Sequence, residues 1–348
     1  LSFLENINKA LQKELPFVAY KKPNDNYLRG YFQDNSQLCF CENFHESGFV
    51  FAPFNSNNPS ILIPEKESHF YQETIDFDIV IEPKDNVSVI DEEQKQNHID
   101  LVGKSIEAID NHLFRKVVIS RTESVELKEF NVVNTFKKLV VKYPTAFTYL
   151  WFHPKVGLWM GATPETLLEV KGTEFKTMSL AGTQVYDQYK EVFWGAKELE
   201  EQQLVTDYII EKLEKEGEQP TEQPLETFRI GDLLHLRTRI SGVTQTSITN
   251  LIRVLHPTPA VCGFPKEKAK SYILDYEGYD RKFYTGFLGE LNIDNGSKSS
   301  LYVNLRCMEI EKNQKAILYV GGGITKGSIP SKEWEETIAK SKAMKHIL

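Results

Sequence analysis

Leu4, Ile7 and Leu11 recur at the three- and four-residue steps of a helix within residues 1–13. The pattern then changes to short aromatic and β-branched runs at 17–20, 38–40 and 50–53, which predict strands in the first third of the chain. Turn formers crowd residues 55–60 and the stretch around Pro83, Asp85 and Asn86, after which Ile99, Val102, Ile106, Ile109 and Leu113 return to helical steps. KVVIS (116–120) reads as a strand, 147–152 and 157–160 as paired strands, and 165–178 as a hairpin turning at Gly172. A long helix is predicted from about Glu191 to Lys215, followed by a Gly-, Pro- and Glu-rich loop at 216–224. Beyond the Pro-rich loop 256–265 come a helix at 266–274, strands at 283–291, 302–310 and 316–320, and a last helix from Ser331. Helices of unequal length interrupt the strands without a regular βαβ beat. This predicts an α/β chain of the α+β kind rather than a doubly wound sheet. No interior linker stands out, so residues 1–348 are expected to form one domain.

Composition narrows the class. A chain of 348 residues that is 41% hydrophobic and 26% charged can bury a large core, which excludes disorder and collagen. No apolar run approaches the roughly 18 residues of a membrane span. The N-terminus lacks the basic-then-apolar plan of a secretory signal, so a soluble, cytoplasmic protein is expected. The chain opens on Leu1, which leaves its start arbitrary. Its 41 Lys plus Arg against 49 Asp plus Glu give a net charge of -8. That balance argues against a nucleic-acid or anionic-membrane partner and requires any anionic substrate to be met by a local cluster. Cys39, Cys41, Cys262 and Cys307 make no C-x-x-C spacing and read as reduced core or pocket residues.

Several familiar motifs fail. GGGITKGS (321–328) has neither the Gly-Lys-Ser/Thr ending of a phosphate loop nor the third glycine of a dinucleotide fingerprint. There is no H-E-x-x-H and no G-x-S-x-G. What survives is carboxylates on two helices. Glu198 and Glu201 lie three apart, and Val205, Tyr208 and Ile209 continue the stripe from Glu201, which places that carboxylate in line with an apolar face. Glu333 and Glu336 repeat the spacing, with Lys340 one turn on. Four such groups facing one another would suit Mg²⁺, which takes one or two protein carboxylates and completes its shell with water and substrate oxygens. By spacing alone the plainer account weighs more: acids in a first turn complement the helix dipole, with Ser331 as the N-cap, and Glu336–Lys340 is an ordinary surface pair. Lys116 likewise reads as a strand-end lysine and Glu165 as a turn residue. Arg306, amid apolar strand residues, calls for an anion.

The ordered segments KVVISR (116–121), GATPETLL (161–168), SLAGT (179–183), KELEEQQLV (197–205), HPTPAVCGFP (256–265), YDRKFYTGFLG (279–289), NLRC (304–307), GGGI (321–324) and EWEETIAK (333–340) together resemble the chorismate-utilising enzymes. Within that family the isochorismate synthases are the branch most resembled. The likeness covers residues 97–348, the expected catalytic core, and is only general over the variable N-terminal segment, residues 1–96. It implies two large antiparallel-rich sheets packed together with surrounding helices. It also implies isomerisation of chorismate to isochorismate for menaquinone or siderophore biosynthesis. Lys116 would be the base that activates water for addition at C2, and Glu165 the acid that protonates the departing 4-hydroxyl. These roles ask that the lysine be depressed from about 10.4 and the glutamate raised above about 4.3. Glu201 and Glu336 would hold Mg²⁺, with Glu198 and Glu333 acting through water. Arg306 and Lys340 would bind carboxylate oxygens, Gly182 and Gly321 would let the substrate approach the backbone, and His256, Ala260 and Tyr284 would line the pocket. Ala260, where relatives making anthranilate or salicylate usually carry Thr, favours water addition. Tyr284 leaves room for a pyruvate-releasing side activity, as in salicylate synthases. Gln202 replaces a common His. No glutaminase subunit is expected.

Overall fold

The computed structural model describes residues 2–79, 81, 91–312 and 314–348, so the turn expected around Pro83, Asp85 and Asn86 falls outside it. Among the described residues two β-sheets organise the chain, one of nine strands and one of ten. All pairings among the described strands are antiparallel. The first sheet runs Gly263–Phe264, Lys116–Glu126, Lys315–Ile324, Cys307–Glu311, Gly157–Thr163, Phe147–His153, Phe17–Lys21, Tyr27–Gln33, Ser68–Thr74. The second runs Thr221–Glu222, Leu233–Val243, Glu174–Val185, Thr166–Lys171, Lys298–Val303, Phe287–Asn292, Gly48–Ala52, Ser60–Pro64, Cys39–Cys41, with Glu226–Ile230 also paired to Leu233–Val243. The stretch of chain before residue 75 supplies three strands to each sheet.

Alternation within single strands builds the layers. In Phe147–His153, Phe147, Tyr149 and Trp151 join an aromatic core between the sheets, while Leu150 turns to the outer side, where Phe152 packs beside it. Phe147 stacks on Tyr302 of the other sheet with ring centroids 4.1 Å apart, and Phe51 stacks on Phe283 at the same distance. Such rings bury large apolar areas and dominate the cohesion of the sandwich. The helices cover the outer faces. Phe3–Gln12 and Val132–Lys142 contribute to one outer cluster, and Ala196–Lys215 and Ile248–Leu255 to another. Glu92–Asp110 and Lys266–Tyr276 cover the end of the first sheet around Val117 and Ile119. No helix among the described residues is long and apolar enough to cross a membrane.

Local chemistry explains where the elements begin. The first helix is closed by a capping box: Ser2 accepts from the Glu5 amide and the Glu5 carboxylate accepts from the Ser2 amide. It buries Phe3, Ile7 and Ala10, a face turned slightly from the expected Leu4–Ile7–Leu11 stripe. The long helix starts at Ala196, not Glu191, because Gly195 stands at its N-cap. The last helix begins at Pro330 with Ile329 at the N-cap; Ser331 lies inside its first turn and caps nothing. The strand expected over 302–310 is two strands in different sheets, Lys298–Val303 and Cys307–Glu311, joined by a crossing at 304–306. Arg306 takes a left-handed φ of 47° at that crossing.

Candidate active site

A cavity lies where the two sheets meet, with about 790 Å³ of empty space when the open solvent at its mouth is included. Glu165, Gly182, Glu201, His235, Ala260, Tyr284, Arg306, Lys340 and the strip Gly321–Gly322–Gly323 all line it. Glu165 stands just before Thr166–Lys171, almost fully buried. Burial pushes its carboxyl up to about 8 against the weaker opposing pull of Lys116, so near neutral pH it retains its proton. Lys116 heads the strand Lys116–Glu126, is fully buried, and ion-pairs with Glu201 at 2.9 Å. It does not line the cavity but sits behind Gly323, its Cε 3.0 Å from where a Cβ there would fall. A side chain at Gly323 would overlap the Glu201 carboxylate, and one at Gly321 would crowd Ser120 and the Tyr284 hydroxyl. The glycine run thus brings buried acid and lysine groups against backbone, and no phosphate loop is formed.

The acids cluster around this strip. Glu333 Oε2 and Glu336 Oε1 each lie 3.5 Å from where a Cβ on Gly322 would stand. Each of these three carboxylates is met by an ammonium: Glu201 by Lys116, Glu333 by Lys197 at 2.5 Å, Glu336 by Lys340 at 2.7 Å. Burial alone would raise Glu201, yet Lys116 foremost, then Lys197 and Lys340, hold it below its ordinary value. Burial and the neighbouring Glu336 raise Glu333 against Lys197 and a hydrogen bond from the Ser328 side chain. The helix carrying Glu333 and Glu336 is anchored by Arg121, whose guanidinium lies 4.3 Å over the Trp334 ring and donates to the Thr337 hydroxyl. No group of three or more His, Cys, Asp or Glu side chains among the described residues forms a ready-made metal centre. The donor set nevertheless fits a hard cation taking one or two carboxylates. The oxygens are of the right type, two converge over Gly322, and Glu333 Oε2 is buried with no partner of ordinary hydrogen-bond geometry.

The other anticipated residues divide. Lys340 donates to the Gly321 carbonyl as well as pairing with Glu336. Arg306 has one terminal nitrogen 2.5 Å from His235 Nε2, while its Nη1 is buried and unpartnered, a donor available to an anion. Burial brings the Arg306 guanidinium down to about 10. Glu198 does not line the cavity; its Cβ side packs over Gly182, whose φ of +68° suits glycine. His256 does not line it either. Its Nε2 donates to the carbonyl of Thr285, a wall residue, and its ring packs edge-on to Phe287, with burial lowering it to about 4. The short link to that carbonyl, made in the Pro-rich loop, holds the ring behind the wall. Gln202 points away from the acids, donating to Ser179 and Thr238. His235 escapes a reading of the sequence: Nδ1 donates to the Gly182 carbonyl, so Nε2 is the acceptor facing Arg306. Burial first and Arg306 second keep it neutral. A histidine between Leu233, Leu234 and Leu236 in an apolar run was the signal available.

Fold and site together define an α+β protein with an inter-sheet cavity bordered by a protonated acid, buried acid–lysine pairs and a free guanidinium edge. The chain belongs to the chorismate binding enzymes, the family it matches over residues 63–348. Isochorismate synthase DhbC of Bacillus subtilis (strain 168) is 35% identical over 199 residues, 53% of this chain and 49% of that protein. Isochorismate synthase EntC of Escherichia coli (strain K12) is 29% identical over 246 residues, 67% of this chain and 62% of that protein. The chain thus spans 49% and 62% of the lengths of these two relatives. Among solved structures, the menaquinone-specific isochorismate synthase MenF of Escherichia coli superposes with a TM-score of 0.81 over 100% of this chain and 91% of that chain, at 19% identity. Anthranilate synthase component I of Streptococcus pneumoniae TIGR4 gives 0.66 over 94% and 89%, at 18% identity. At those identities the likeness is one of fold.

Proposed function

We propose that the chain converts chorismate to isochorismate with Mg²⁺ as its metal. The observation that carries this reading is Glu165, a buried carboxyl held up to about 8 in the same cavity whose other border carries Glu201, paired with the buried Lys116. A carboxyl that keeps its proton in the cavity, with a lysine close behind the cavity wall, supplies the acid and base groups that a proton-shuttling isomerisation needs. Arg306 Nη1 and Lys340 bind carboxylate oxygens of the substrate, and neutral His235 orients the guanidinium. Lys116 Nζ, in its neutral amine form, takes a proton from water as the water oxygen adds to C2. The double bonds shift, the C4–oxygen bond breaks, and Glu165 gives its proton to the departing hydroxyl; the proton gained by Lys116 returns to Glu165 through solvent, so one water enters and one leaves with no net redox change. Glu201 and Glu336 would hold the Mg²⁺, with Glu198 and Glu333 reached through water; when bound it would neutralise the ring carboxylate and draw electron density from the conjugated system.

Menaquinone or siderophore synthesis, and a cytoplasmic setting, are the contexts in which this product is used. A salicylate-forming side activity is the second reading, supported by Tyr284, which lines the cavity beside Ala260. Incubation with chorismate and Mg²⁺, without an amine donor, should yield isochorismate by chromatography. No conversion by a protein that still binds the metal would reject the proposal, and stoichiometric pyruvate would favour the second reading. Ammonium-dependent formation of a fluorescent aromatic amine would point instead to anthranilate-type chemistry.

A further inference from the structure

Three carboxylates and three ammonium groups surround the Gly321–Gly323 strip, but the lysines are not equivalent. Lys116 is sealed in the core against Glu201, and Lys340 is tied to the Gly321 carbonyl. Lys197 is different. Its ammonium bonds Glu333 at 2.5 Å and lies in the field of Glu201 and Glu336 as well, while its side chain is 27% exposed. It does not border the substrate cavity. It borders a second one, lined also by Leu204, Lys326 and Glu201, so that Glu201 alone among the acids faces both spaces. Lys197 therefore has an open side into which it can withdraw. Glu333, 2% exposed, is left half satisfied: Oε1 takes Lys197, and Oε2, converging with Glu336 Oε1 over Gly322, has no partner of ordinary hydrogen-bond geometry. The Ser328 hydroxyl is the other group that interacts with this carboxylate, and a neutral hydroxyl offers no charge, so the buried Oε2 beside Glu336 marks a place for a positive ligand that the present ammonium does not fill.

We propose that Lys197 is a built-in counter-ion that stands in for the divalent cation, neutralising Glu333 in its absence and withdrawing into the second cavity when the cation arrives. This rests on the reading of Glu201 and Glu336 as cation ligands. Its consequence is a deliberately weakened metal site: every binding event must displace an ammonium, and the displaced charge stays close enough to repel the newcomer. The protein without metal is correspondingly protected from the mutual repulsion of Glu333 and Glu336.

The test is Lys197→Met, with Lys197→Arg as the charge-retaining control and Lys197→Gln as a second neutral variant should the first fold poorly. Mn²⁺ binding followed by electron paramagnetic resonance, and Mg²⁺ binding by calorimetry, are measured without chorismate, together with the melting temperature with and without Mg²⁺. The neutral variants should bind either cation on the order of tenfold more tightly, the scale of losing one partly exposed like charge beside the ion. They should also melt lower without metal and gain more from it, while the Arg variant stays near the parent. Unchanged or weaker affinity in the neutral variants would overturn the stand-in role and make Lys197 a strut for Glu333. An Arg variant that behaves like Met would overturn it too, since charge would not be the cause. If the parent protein binds neither cation, the reading of Glu201 and Glu336 fails first.

Discussion

Glu165 and Glu201 are the same side chain bordering the same cavity, yet burial leaves one protonated near neutral pH and the other ionised. Glu165 feels Lys116 only as a secondary pull, so desolvation wins; Glu201 touches Lys116 at 2.9 Å and feels two more lysines, so charge wins. The difference teaches that depth decides only the size of the electrostatic stakes. Which neighbour is within reach decides the sign.

The largest effect should come from removing that neighbour. Lys116→Met would leave the largely buried Glu201 without its contact partner, costing about 3 kcal/mol of unfolding free energy at pH 8. The loss should shrink toward pH 5, because Glu201 without its contact partner takes up a proton more readily, even with Lys197 and Lys340 still in its field. Denaturant titrations at both pH values check this, and an equal loss at each would mean the ion pair is not the cause. In the proposed reaction the same variant loses turnover while ligand still raises its melting temperature.

Glu165→Gln should give the next largest change. The folded carboxyl is raised from about 4.5 to about 8, so its favourable contribution is complete below the unfolded value and disappears as pH rises through about 8. The parent should therefore lose roughly 2–4 kcal/mol of stability across that window relative to the variant, whose profile should be flatter. Turnover, if Glu165 is the acid, should fall in the parent as pH passes about 8. A stability profile that keeps its slope in the Gln variant would assign the titration to another group.

Smaller again is the pair that holds the anion. Exchanging Arg306 for Lys keeps charge but loses the planar edge that His235 orients, and should weaken chorismate binding by about tenfold in calorimetry. The smallest change is expected at His256. A Phe there removes one hydrogen bond to the Thr285 carbonyl, worth about 1 kcal/mol. KM should then move less than about twofold, and a large KM effect would place the ring closer to substrate than the wall allows.

Much of the fold was legible because periodicity is local. The strand pair Phe147–His153 and Gly157–Thr163, the hairpin around Gly172 and the helix Ala196–Lys215 all lie where alternation or helical steps put them, within a few residues. Leu233–Val243 was harder, since His235, Arg237 and Arg239 break its apolar look, although the first two are buried against partners. The break at 304–306 was invisible in an apolar run, because a change of sheet leaves no mark on alternation until Arg306 turns left-handed. In the site, the resemblance picked out Glu165, Glu201, Arg306, Glu336 and Lys340, which the structure does gather around one cavity. It also picked out His256, which sits behind the wall, and passed over His235 and Lys197.

By itself the order of residues determined which segments coil or extend and which side chains are equipped to carry charge or protons, since both follow from near neighbours along the chain. Only the tertiary structure decided how those groups are paired and therefore which hold protons. Lys116 meets Glu201, Lys197 meets Glu333 and His235 meets Arg306 across long stretches of sequence. An ionisation equilibrium responds to distance and solvent in space, quantities that no spacing in the chain encodes.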